Sequence, residues 1–207
     1  MKQFPDDVDI VENTEGFPNV IVIMKESFSD LALAYDMELA EDPIAYFQEI
    51  VNGDNVVSGI MHSSQFGGGT ANIEYECLTQ NETAFLPTGS MPYQQYIKSE
   101  IPSLASRLNE LGYTTTAIHP YYGSGWCRNI VYPLLGFDQM IFKDDFAAPK
   151  KIRNYISDES AFQKIIELYE EKASVKNSLP LKLPCRIMAV TVRMWKTLMS
   201  PYISQMK

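Results

Sequence analysis

The apolar positions of this chain fall into short blocks. Asn19-Val20-Ile21-Val22-Ile23-Met24 contains a continuous run rich in β-branched residues, the pattern of a strand buried on both faces of a parallel sheet. Residues 42–52 read as a short amphipathic helix, with Asp42 as its cap and Pro43 at its first position. Asn55 to His62 reads as a second strand, running toward a glycine-rich loop. From Ser103 to Leu111 the leucines stand at helical spacing (Leu104, Leu108, Leu111), and Gly112 stops the helix. Tyr113 to His119 is a third strand, and Gln139-Met140-Ile141-Phe142 a short further one. Ser157-Asp158-Glu159-Ser160 opens a helix carrying Phe162, Ile165, Ile166, Leu168 and Tyr169. Strand, helix and strand in this order predict right-handed βαβ units and an α/β class.

One stretch stands apart from these blocks. Phe66-Gly67-Gly68-Gly69-Thr70 leads into Ala71-Asn72-Ile73-Glu74-Tyr75-Glu76-Cys77-Leu78-Thr79. Ile73, Cys77 and Leu78 predict one apolar face, and Thr70 sits where an N-cap belongs. A hydroxyl there meets unpaired N–H groups and the positive dipole end, a setting suited to an oxyanion. Two readings stand at this point: Thr70 as a nucleophile toward phosphorus, or an ordinary capped helix after a flexible turn.

Composition narrows the classes. The chain has 207 residues, enough for about one domain, and 45% are hydrophobic, enough for a sizeable core. A net charge of −9 argues against non-specific nucleic-acid binding. Cys77, Cys127 and Cys185 are an odd count without C-x-x-C spacing, which suggests neither a disulfide framework nor a zinc site. No apolar run reaches the roughly 18 residues of a membrane span, and no signal-like segment opens the chain.

The remaining chemistry lies beyond strand ends, where open α/β sheets bind ligands. Glu26 follows the first strand, as a hard-metal ligand or a surface acid. His119 ends the third, and the loop after it, Pro120 to Asn129, is rich in Gly, aromatic and cationic groups. Arg128 can grip a phosphate with two prongs or pair with a nearby carboxylate, and Trp126 can cover a sugar-like part of a ligand. His119 is a candidate substrate contact, whereas His62 reads as a structural or solvent-facing residue.

Pro18 to Phe28, Gly68 to Glu76, Gly125-Trp126-Cys127-Arg128 and Gly136-Phe137-Asp138 resemble, in order, motifs of the lipoteichoic acid synthase family. These are phosphoglycerol transferases of the alkaline phosphatase and sulfatase superfamily. The likeness spans roughly residues 18–172, after an irregular acidic lead-in at 1–17. It implies an incomplete three-layer α/β/α sandwich and transfer of glycerophosphate from a phosphatidylglycerol-like lipid to an envelope glycopolymer or glycolipid. It also implies a phospho-threonine intermediate on Thr70, and a divalent metal, Mn²⁺ favoured over Mg²⁺, held by Glu26 and Thr70. Trp126, Arg128 and His119 resemble substrate-pocket residues. The family implies a cell-membrane location, an extracellular catalytic domain and membrane helices upstream. Lys25 is an unusual neighbour for Glu26, and the family's Asp-His metal pair lies in a second half that this chain lacks. Alternatives are a truncated inactive fragment, a sulfatase-like phosphoesterase or a phosphate-binding half-domain. A sulfatase proper needs Cys or Ser to make its formylglycine, which Thr70 cannot supply. No Lys follows the glycines as a P-loop demands.

The tail is a different object. Residues 1–172 hold all 26 acidic residues and 11 of 17 Lys/Arg, and residues 173–207 hold none of the acids and the other 6 Lys/Arg. On chosen codons, Pro184 onward read from the third base gives Met-Gln-Asn-His-Gly-Gly-Tyr, which resembles the family's continuation. Residues 173–207 are therefore expected to be an aberrant, out-of-frame tail, the shift lying near Lys182. A membrane-surface or partner-binding helix competes, and Pro180, Pro184 and Pro201 count against it.

Overall fold

A computed structural model describes residues 19–26, 28, 38–54, 56–59, 62–65, 69–178 and 186–193. Strand β1 is Val20–Glu26, β2 Thr114–Ile118, β3 Gln139–Ile141 and β6 Arg186–Arg193, and they form one sheet in the order β1-β6-β2-β3. Every pairing in it is parallel. Val20 stands opposite Ile187, and Thr114 opposite Arg186, so the strand nearest the C-terminus joins the two N-terminal ones. A two-residue pair, β4 (Lys151–Ile152) and β5 (Tyr155–Ile156), is antiparallel.

The helices are α1 (Ala45–Val51), α2 (Thr70–Thr79), α3 (Pro92–Gln95), α4 (Leu104–Glu110), α5 (Arg128–Leu134) and α6 (Asp158–Ser178). Successive side chains of a strand point to opposite faces, and β2 shows what each face meets. Ala117 packs in a cluster with Ala71 of α2, Ala105 of α4 and Val131 of α5. Ile118 packs in a second cluster with Ile165 and Leu168 of α6. Helices therefore cover both faces, giving the expected α/β/α layering.

Local chemistry fixes several boundaries. Ser103 caps α4 in a box: its Oγ accepts from Ser106 N at 3.2 Å, and its own N–H donates to Ser106 Oγ at 2.9 Å. The same Ser103 hydroxyl donates to the Leu135 carbonyl across the core. In β2, Thr115 is buried because Asp138 and Gly136 satisfy it: its N–H meets Asp138 Oδ2 at 2.7 Å, and its hydroxyl reaches the Gly136 carbonyl at 3.1 Å. Gly136 has φ +85°, and a Cβ there would lie 2.9 Å from Ser106 Cα, so only glycine fits this tight return.

Three expectations change. β1 is an outer strand of this sheet and is not buried on both faces: Ile21 and Ile23 are 47% and 39% exposed. The strand expected at 55–62 does not form among its described residues. Residues 56–59 are irregular and exposed, while Asn55, Ile60 and Met61 lie outside the described residues. β-branched residues make a strand only where another strand offers a ladder. Helix α1 starts at Ala45, two residues beyond Pro43, and Asp42 Oδ1 accepts from Ile44 N at 2.9 Å, capping the turn before it. Among the described residues, no helix is long and apolar enough to cross a membrane.

Candidate active site

Helix α2 begins one residue earlier than a cap at Thr70 would place it. Gly69, with φ +84°, is the N-cap, and Thr70 is the first helical residue. Asn72 N donates to the Gly69 carbonyl at 2.8 Å. This left-handed backbone is cheap for glycine and strained for a β-branched residue, so the cap moves off Thr70. Thr70 itself is buried at the positive end of a ten-residue helix.

The inward face of α2 is not the predicted one. Thr70, Ala71, Asn72, Glu74 and Leu78 are buried, Ile73 is only half-buried, and Cys77 is exposed. The helix turns a carboxylate inward because a cation waits for it. Arg128, at the start of α5, is 1% exposed, and Glu74 is 5% exposed. Arg128 Nη2 donates to Glu74 Oε1 at 2.7 Å, and Nε reaches Oε2 at 3.0 Å, so the guanidinium grips the carboxylate with two prongs. Tyr132, one turn along α5, donates to Oε2 at 3.2 Å. Burial pulls the Arg128 guanidinium down, but Glu74 outweighs it and holds the cation above its ordinary range. Burial first, then the Glu74 charge, pushes the phenols of Tyr93 and Tyr132 far up, so both stay neutral.

The other edge of Arg128 faces His119. Nη1 lies 3.3 Å from His119 Nε2 and 3.3 Å from the Gly125 carbonyl. A guanidinium only donates, so in this contact Nε2 is the acceptor. Of the alternatives for Arg128, the structure has the carboxylate pair: the fork is held by its own chain and is not presented to a ligand. His119 sits just past β2, and β1 ends at Glu26. In the parallel register Ile118, Val190 and Ile23 are level, so both residues stand at the carboxyl edge of the sheet. The side chain of Glu26 lies outside what is described.

Trp126 and Cys127 adopt φ +58° and +59° in the turn before α5. Two consecutive left-handed non-glycine residues cost about 1–2 kcal/mol each. The turn is held by Asn129 N donating to the Gly123 carbonyl at 2.9 Å and Cys127 N to the Ser124 carbonyl at 3.0 Å. Gly123 is needed there, because a Cβ would meet the Phe142 ring at 2.9 Å. A cavity of about 440 Å³ lies where this turn approaches α2, with Trp126, Gly69 and Asn72 in its wall.

Among the described residues, no three of His, Cys, Asp and Glu gather to hold a metal ion. Glu26 and Thr70 offer two oxygen donors, where a hard divalent ion takes about six. By themselves these residues do not make a metal site. Glu74, Tyr132 and Asn72 are the residues that sequence reasoning left unassigned. Glu74 lies four residues after Thr70 and Tyr132 four after Arg128, so facing helical turns were their available signal.

A family model described as Sulfatase matches residues 18–179. A curated relative, a putative cyclic beta-1,2-glucan modification protein of Rhizobium meliloti (strain 1021), is 42% identical over 156 residues, covering 75% of this chain and 24% of the relative. Among solved structures, the Streptococcus pyogenes phosphoglycerol transferase GacH, in complex with sn-glycerol-1-phosphate, aligns with a TM-score of 0.67 at 22% identity, over 88% of this chain and 46% of that one. The lipoteichoic acid synthase LtaP of Listeria monocytogenes aligns at 0.64 and 22% identity, over 87% and 41%. The chain thus spans about a quarter of the curated relative and less than half of each of these structures.

Proposed function

This chain belongs to the sulfatase family, and on that premise we propose that it is the Thr70-bearing part of a glycerophosphate transferase. The carrying observation is the placement of Thr70. It is buried at the N-terminus of α2, one turn before the Glu74 that locks this helix to the loop of Trp126, Arg128 and His119.

The reaction has two displacements at phosphorus. Thr70 Oγ attacks the phosphodiester of a phosphatidylglycerol-like lipid. The Oγ–P bond forms, the bond from phosphorus to the diacylglycerol oxygen breaks, and diacylglycerol leaves as the alcohol, taking up the proton that Thr70 gives up. An acceptor hydroxyl then attacks phosphorus, Thr70 leaves and regains a proton, and the acceptor carries the glycerophosphate. The α2 N-terminus favours the negative charge that builds on the phosphoryl oxygens. Trp126 and His119 are the proposed substrate contacts, and Arg128, anchored by Glu74, positions them through His119 Nε2 and the Gly125 carbonyl. Thr70 in place of a formylglycine-forming Cys or Ser supports phosphorus rather than sulfur as the reacting centre.

The relative's name, which refers to glucan modification, favours a glucan among the envelope acceptors. A lipid donor puts the reaction at a membrane, with the catalytic domain on its outer face. A divalent ion, Mn²⁺ before Mg²⁺, belongs to this reading with Glu26 and Thr70 among its ligands and the others supplied from outside the described residues.

A second reading concerns this chain alone: it is an incomplete, inactive portion of that enzyme. Its span supports it: about a quarter of the curated relative and less than half of each similar structure. The same reading takes the tail beyond about residue 180 to be out of frame; its residues 186–193 forming β6 within the sheet stand against this, and sequencing of the locus in all frames tests it.

The functional test incubates the chain and the full gene product with phosphatidylglycerol vesicles and Mn²⁺, then weighs the Thr70 peptide. A mass gain of one glycerophosphoryl group in the full product, abolished by Thr70→Ala, is expected. Undiminished lipid turnover by Thr70→Ala overturns the proposal. Labelling of the 207-residue chain by itself overturns the second reading.

A further inference from the structure

The cavity beside α2 has a chemistry that the reaction above leaves unused. Its lining includes amides (Gln65, Asn72), hydroxyls (Thr83, Thr88) and the indole-bearing Trp126, and no charged side chain lines it among the described residues. That neutrality stands out in a chain of net charge −9. We propose that this cavity seats a neutral sugar residue of the acceptor, an assignment that rests on the transfer reading for the role of that sugar.

The wall is organised in advance. Asn72 Nδ2 donates to Gln65 Oε1 at 3.0 Å and to the Ser90 carbonyl at 2.9 Å, which leaves the Asn72 carbonyl oxygen to receive a hydroxyl. Gln65 Nε2 donates in turn to Thr83 Oγ1 at 2.5 Å, and Thr83 Oγ1 donates to Glu76 Oε1 at 2.5 Å. Glu76 takes two more hydrogen bonds on its other oxygen, from Ser63 Oγ at 3.0 Å and Ser64 N at 3.3 Å. The one carboxylate of this network is thus consumed behind the wall. Gln65 Oε1 would lie 3.1 Å from a Cβ on Gly69, so the wall closes directly on the cap of Thr70.

These features select the ligand. A second phosphate would need a cation, and none lines the cavity among the described residues. A lipid tail would need an unbroken apolar lining, which the amides and hydroxyls interrupt. A polyhydroxylated ring suits amides and hydroxyls at its edge and an aromatic face against its C–H groups. The volume of about 440 Å³ falls in the usual range of small-molecule sites, about 300–1,000 Å³. The place matters as much as the chemistry: a sugar held here lies within the first turn of α2, next to the residue that carries the group to be transferred.

The test is direct binding of neutral cyclic β-1,2-glucan to the chain by calorimetry. Thr88→Trp fills the cavity from an exposed position, Gln65→Glu places a charge in its wall, and Ser99→Trp, exposed and outside the lining, is the control. Weakening of at least about tenfold by the first two and none by the control is expected for loss of a filled pocket. Glucan binding that is absent, or equal in all four proteins, overturns the assignment. Donor labelling of Thr70 without glucan reads the transfer proposal separately. Labelling with unaltered glucan binding leaves the transferase and removes the cavity's role. Lost labelling of the full gene product with cavity-dependent binding leaves the sugar site and removes the transferase.

Discussion

Removing the cation from the buried pair should be among the costliest single changes in this molecule. Arg128→Met deletes a guanidinium with 1% exposure and leaves the Glu74 carboxylate, 5% exposed, without its two-pronged partner. Breaking such a pair from one side costs about 3–5 kcal/mol, because an uncompensated charge stays inside. With a urea m-value of about 2 kcal/mol/M, the midpoint should fall by roughly 1.5–2.5 M. Glu74→Met should cost a similar amount by stranding Arg128. The double variant removes both charges, and pairs replaced this way by apolar groups are often neutral or better. Here the gain is smaller, since the Tyr132 hydroxyl loses its acceptor at about 1–3 kcal/mol. The double variant should therefore be more stable than either single one, with a coupling energy of at least about 2 kcal/mol in the cycle. Arg107→Ala, which breaks the exposed pair with Glu110, is the control and should cost less than about 1 kcal/mol. Urea unfolding of the five proteins checks this. Single variants within about 1 kcal/mol of the parent, or single costs that simply add in the double variant, would refute the claim that this pair acts as one buried unit.

Further outcomes follow from other named contacts. Ser103→Ala should cost about 2 kcal/mol, the upper end for a lost cap, because the hydroxyl also serves Leu135; thermal unfolding measures it. Gly136→Ala should cost more than about 1 kcal/mol from backbone strain alone, and a midpoint unchanged in urea would contradict the steric account. Burial raises the Glu76 carboxyl, but hydrogen bonds from Thr83, Ser63 and Ser64 outweigh it and hold it below its ordinary value. In the window between those two values the unfolded state binds more protons, so stability is present above the ordinary carboxylate pKa and is lost as pH falls through the lowered one. Glu76→Gln should flatten that slope in a pH series of unfolding midpoints, and a parallel profile would count against it.

Much of the sheet was legible because its signals are local. Thr114 to Ile118 is β-branched and bounded by a glycine-stopped helix and a proline, and Ser103 announces the helix before it. Those cues act within a few residues and need no knowledge of the rest of the chain. The face of α2 was read wrongly for the opposite reason. Ile73 and Cys77 give the expected apolar spacing, but the partner that draws Glu74 inward is 54 positions away, and no window around the helix contains it. Helix α5 was missed because Gly125 and Pro133 punctuate its surroundings, although Pro133 lies within its last turn. At the candidate site, Thr70 and Trp126 could be named from motifs, and His119 from its place at the end of a strand. That Arg128 is held by its own chain, and that a neutral cavity lies beside Thr70, depend on how distant segments meet.

The sheet order has a consequence for how the protein is made. Val20 of β1 pairs with Ile187 of β6, a separation of 187 − 20 = 167 residues, and β2 reaches β1 only through that same strand. At about 5–20 residues per second, the first strand emerges roughly 10–30 s before its neighbour exists. Until then its ladder groups face water or whatever else the cell presents, and an apolar β-branched segment in that state is a target for chaperones. Small changes in residues 186–193 would therefore show first as altered yield from the ribosome, before they show in the stability of chains that have already folded.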